Sequence, residues 1–64
     1  MIKEEALQIL QQLRTQEISS YRVNKQDFLD FRSVLSEQGD MKNFRGNAQH
    51  GGEAIYTFEP GWTK

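Results

Sequence analysis

Few side chains in this sequence could carry acid–base or nucleophilic chemistry: His50, Asp40, Glu53, Ser19, Ser20 and Tyr56. His50 and Glu53, three positions apart, can be drawn as an imidazole oriented by a carboxylate, the arrangement that activates a hydroxyl nucleophile. No recognisable motif places a nucleophile beside them, and His50 stands in the run Gln49-His50-Gly51-Gly52, which reads as a solvated turn. Gly46 and Gly51-Gly52 lack the spacing of a phosphate-binding loop, and no helix begins after them. With no cysteine and one histidine, disulfides are excluded and a zinc centre of nitrogen and sulfur ligands has too few donors. A domain of this size has little room for a pocket beside its core. The sequence therefore predicts a non-enzymatic protein with no cofactor, no metal site and no small-molecule substrate.

The elements around these residues are two helices and a hairpin. From Ile2 to Leu13 the residues Ile2, Ala6, Leu7, Ile9, Leu10 and Leu13 recur at helical spacing over an arc of about 160°. Glu4 and Glu5 in the first turn and Arg14 in the last agree with the helix dipole. The stripe is wide enough for two contacts, a helix on one side and a sheet or second subunit on the other. The organising stretch is Val23–Gly39. Asn24 is an N-cap, Asp27 can reach back to free backbone donors, Val23 and Phe28 form a staple, and Gly39 can close the helix in the left-handed conformation. Its core face is Phe28, Phe31, Val34 and Leu35.

After Gly39, Asp40-Met41-Lys42 reads as a turn. Phe44, Gly46 and Ala48 then share one side of a first strand, with Gly46 marking a bulge or a close approach. In the second strand Ala54, Tyr56 and Phe58 oppose Ile55 and Thr57, and Pro60-Gly61 stops it. Trp62 is expected to fold back and cap the core. Thr15–Arg22 reads as a connection, its end extended, and Tyr21–Val23 allows a third short strand. The reading is one α+β domain over 1–64: helices at about 2–15 and 24–38 on a C-terminal hairpin at about 43–48 and 53–59, with a third short strand near 21–23.

Eight lysines and arginines against nine aspartates and glutamates give a formal net charge of −1, which is no footprint for nucleic acid or an anionic membrane. Neither a membrane span nor a secretion signal is legible, so a cytoplasmic location is expected. A chain this short buries only about 60% of its unfolded surface. One helix pair and one hairpin cannot cover Leu7, Leu29, Ile55 and Trp62, and these four are the candidate interface for a protein partner or a homodimer. The expected role is a protein–protein interaction module or self-associating accessory protein.

The alternative starts from Arg22, Lys25, Arg32, Lys42 and Arg45, with Asn43, Asn47 and Gln49 as base readers. A helix followed by a C-terminal hairpin is similar to the last part of a winged-helix domain, which implies a DNA-binding regulator using the 24–38 helix and the hairpin as wing. Asp27, Asp30, Glu37 and Asp40 interleave with those bases, and a three-helix core would need a further helix between Thr15 and Val23.

Overall fold

A computed structural model describes residues 1–62 of the chain. Helix α1 spans Lys3–Arg14, strand β1 Tyr21–Val23, helix α2 Phe28–Ser36, strand β2 Phe44–Ala48 and strand β3 Ala54–Phe58. A single 3-10 turn at Met41–Asn43 precedes β2, and a tight turn at His50–Gly52 follows it. The sheet is antiparallel in the order β1-β3-β2, so the expected third strand exists and lies on the far side of β3 from the hairpin partner. Tyr21 faces Tyr56 and Val23 faces Ala54 across one pairing, while Phe44 faces Phe58 and Ala48 faces Ala54 across the other. The fold is α+β, two helices on one face of a three-stranded sheet.

Strand alternation assigns the two faces. Val23, Ala54, Tyr56 and Phe44 face the helices and are buried with Ala6, Ile9, Leu10 and Leu13 of α1 and Phe31, Val34 and Leu35 of α2. Phe31 is fully buried, with Tyr56 at 4.9 Å and Tyr21 at 6.2 Å between ring centroids. Arg22, Arg45, Asn47, Ile55 and Thr57 point to the opposite, uncovered face. The wide stripe of α1 meets both α2 and β3, as its arc requires.

Three local expectations are corrected. The second helix does not begin at Asn24 but at Phe28. Asn24 still makes its expected capping bond, its Oδ1 accepting the Asp27 backbone N–H at 2.9 Å in the turn that leads into the helix, but the Asp27 carboxylate accepts from the Met1 ammonium at 2.9 Å rather than reaching back. That helix ends at Ser36, and Gly39 is not left-handed, because Glu37 and Gln38 donate to Val34 and Leu35 and tighten the last turn without it. The left-handed residue that closes a helix is Gln16 (φ 63°), at the end of α1. Glu17 N–H donates to the Gln12 carbonyl and Gln16 N–H to Leu13, the paired bonds of a Schellman motif.

Gly46 marks a close approach and not a bulge. The β2–β3 register runs unbroken through it, and a Cβ there would stand 2.8 Å from Tyr56 Cε1. The hairpin turns through Gly51 and Gly52, both at positive φ, as its composition predicts.

Candidate functional site

The residues that could have formed a catalytic centre are dispersed. His50 is exposed at the hairpin tip, whereas Glu53 accepts an ion pair from Arg22 at 3.1 Å. Tyr56 is buried in the core, and that burial raises its hydroxyl pKa. Ser19 and Ser20 lie on the exposed connection before β1. Among the described residues, no group of three or more acidic, histidine or cysteine side chains could hold a metal ion.

Asp40 belongs to a structural lock that the sequence did not reveal. Arg14 Nε and Nη2 donate to the two Asp40 carboxylate oxygens, each at 2.8 Å, and Nη2 also donates to Gln38 Oε1 at 2.9 Å. The Arg14 guanidinium lies 5.3 Å from the Phe44 ring centroid. Planar bidentate pairing suits arginine, and here it ties the end of α1 to the connection between α2 and β2. The hydrogen bonds from Arg14 hold the Asp40 carboxyl below its ordinary value. The sequence signal at Arg14 was the helix dipole alone, since nothing local connects it to residues 24 and 26 positions away.

The four candidate interface residues occupy different places. Leu7 is half-buried against the core, so much of its apolar surface is used within the chain. Ile55 lies at the centre of the uncovered sheet face, flanked by Arg22 and Asn47. Trp62 does fold back, but not over the core. Its indole Nε1 donates to the Lys42 carbonyl at 2.8 Å, Arg45 lies 5.6 Å from its ring centroid, and it stays 47% exposed. This position suits the ring because the indole N–H finds a carbonyl partner outside the apolar interior.

Leu29 is the outlier, at 73% exposure. It stands at the rim of a groove of about 370 Å³ between the start of α2 and the hairpin tip, lined also by Lys25, Phe28, Ala48, Gln49, Gly52 and Glu53. At Gly52 a Cβ would stand 3.0 Å from Lys25 Cγ, so the lysine stem lies against bare backbone. The sequence placed Leu29 off the core face but gave no sign of this groove, whose walls come from residues about 20 positions apart.

The five basic residues do not assemble one surface. Arg22 and Arg45 point from the uncovered sheet face, where they pair with Glu53 at 3.1 Å and Glu59 at 3.8 Å. Arg32 belongs to α2, in the helix layer on the other side of the sheet, Lys25 precedes α2 at the groove, and Lys42 lies in the 3-10 turn before β2. Asn43, Asn47 and Gln49 follow β2 from its start to the hairpin tip. Between Thr15 and Val23 there is a strand and no helix among the described residues, so a three-helix core is not formed. No helix among them is long and apolar enough to cross a membrane.

A family described as YkzS-like protein matches residues 3–57, and the chain belongs to that family. No curated protein and no solved structure matches the chain.

Proposed function

We propose that this member of the YkzS-like family is a non-enzymatic, cytoplasmic protein-binding module, with self-association its simplest binding event. The observation that supports this reading most directly is Leu29, 73% exposed at the rim of an apolar groove that the chain's own helices and hairpin leave open. Single exposed leucines are ordinary, but one that continues into a concave apolar surface gains by being covered. The small core adds to the argument, because a domain of this size gains stability from a second chain that buries further apolar surface.

Sedimentation velocity with static light scattering over about 10 μM to 1 mM tests the proposal. The expected result is an average mass that rises with concentration. A monomer throughout, with high thermal stability, would count decisively against it. Titration of labelled duplex DNA at low salt is expected to give a flat curve, and binding that weakens steeply with added salt would favour a winged-helix role instead.

A further inference from the structure

The two edges of the sheet differ in what they offer another chain. In the β2–β3 ladder, Glu59 N–H donates to the Asn43 carbonyl and Gln49 N–H to the Glu53 carbonyl. In an antiparallel pair, hydrogen-bonded and non-bonded positions alternate. With the register Arg45–Thr57 and Asn47–Ile55, those two residues of β2 bond to β3, and Phe44, Gly46 and Ala48 turn their backbone groups away from it. The Phe44 N–H is taken by the Met41 carbonyl. The Phe44 carbonyl and both groups of Gly46 and Ala48 point outward with no partner among the described residues. β1, by contrast, is three residues long and turns out only the backbone groups of Arg22.

Natural sheets blunt exposed edges with charged side chains, proline, bulges or covering loops. β2 has neither proline nor bulge and a single charged residue, Arg45: its sequence is Phe-Arg-Gly-Asn-Ala, its register is unbroken, and Arg45 through Ala48 are exposed. Its middle is bare glycine because the Tyr56 ring occupies the space of a side chain there. We propose that this edge is the self-association interface: β2 of a second copy pairs antiparallel with it across a two-fold axis through Gly46. This inference rests on the self-association part of the proposed function and names its surface.

The outward groups admit a two-fold axis at Arg45, Gly46 or Asn47, and of these only the axis at Gly46 pairs the whole of β2 with the whole of its copy. A two-fold at Gly46 sets Gly46 against Gly46 and Phe44 against Ala48 of the other copy. Each Gly46 N–H then donates to the opposite Gly46 carbonyl, and each Ala48 N–H to the opposite Phe44 carbonyl. The non-bonded pairs between them, where side chains stand closest, set Arg45 of each copy opposite Asn47 of the other. Cation thus meets neutral amide twice, and like charges do not face each other directly, as they would with two facing arginines. Pairing of two five-residue strands buries less than the roughly 1,200 Å² of a standard interface, so the dimer is weak and fills at high concentration.

Position 47 tests this without touching the core, because Asn47 is exposed. Asn47→Glu sets a carboxylate opposite each Arg45 and should tighten the dimer about tenfold, while Asn47→Arg sets two like-charge pairs together and should loosen it by a similar factor. Circular dichroism should show both variants folded as the parent. Amide hydrogen exchange gives an independent readout: protection at Gly46 and Ala48 should rise with protein concentration, while Arg45 and Asn47, bonded to β3, stay protected throughout. If the protein dimerises while Gly46 and Ala48 stay unprotected and both variants match the parent, this interface is wrong and the binding role stands. If the parent and Asn47→Glu are monomeric at millimolar concentration, both the interface and the self-associating role fall.

Discussion

The β1–β3 side of the sheet, rich in β-branched and aromatic residues, and the β2 side, with glycine, asparagine and alanine, reach opposite outcomes. Under the helices, Val23, Ala54 and Tyr56 are buried and continue into Phe31, Leu10 and Leu13. On β2 only Phe44 is buried, and Arg45 through Ala48 remain exposed. Two helices of twelve and nine residues cover two strands and the root of the third. The uncovered remainder holds the open groove and the open edge. Surface available for a partner is therefore a consequence of how little helix this chain has, and it collects at one side.

Removing the centre of the covered side should have the largest effect. Phe31→Ala takes away a fully buried ring held between two tyrosines, and comparable truncations cost about 3–5 kcal/mol, as much as a small core supplies. The variant should be unfolded by circular dichroism at 25 °C. A milder result would mean that the covered side contributes less than its burial implies.

Next, Gly46→Val tests how β2 is attached. The new Cβ meets the Tyr56 ring, which cannot move freely because Phe31 lies 4.9 Å away, so overpacking of about 1–3 kcal/mol is expected in urea denaturation. No loss would mean that the ring moves aside and the third strand is only loosely joined to the core.

The Arg14 lock ties the end of α1 to the connection before β2, and pH should isolate it. Asp40 titrates below its unfolded value, so its contribution is complete above about pH 4 and is lost as the pH falls through the lower folded value. The pair is partly exposed, and Asp40→Asn should cost about 1 kcal/mol at pH 7. Denaturation curves of parent and variant should converge toward pH 2, and a constant offset would assign the effect to something other than this carboxylate. Smallest of all, Leu29→Gln should leave folding stability unchanged within about 0.5 kcal/mol, which separates a binding surface from a core residue. A loss above 1 kcal/mol would show that Leu29 supports the fold.

Fold class, element order and the core face of each helix were legible because they follow from periodicity: Phe31, Val34 and Leu35 recur at helical spacing, and Ala54 and Tyr56 alternate. The third strand was legible at Tyr21–Val23 for the same reason. Helix ends were not. Asn24 and Asp27 form a capping signature, but one bond of it closes a turn and the other partner is the distant Met1 ammonium. Gln16 takes the left-handed position at the end of α1 without the usual glycine signal, and Gly39, which carries that signal after the second helix, does not take it. The Arg14–Asp40 fork and the groove beside Leu29 join residues far apart in sequence, and only the packed chain brings them together. Of the candidate site, the sequence could flag Leu29 as uncovered but not what it borders.

The strand order also dictates when this protein can fold. β1 and β2 each pair only with β3, so residues 1–53 by themselves contain no strand pairing. A nascent chain has to be synthesised into β3 before any of the sheet closes, and until then the apolar faces of α1 and α2 have only each other. The local β2–β3 hairpin can form at once, whereas joining Tyr21 to Tyr56 closes a loop across most of the molecule. A ribosome stalled before β3 would display two amphipathic helices and two unpaired strands, which makes β3 the segment that decides between folding and aggregation.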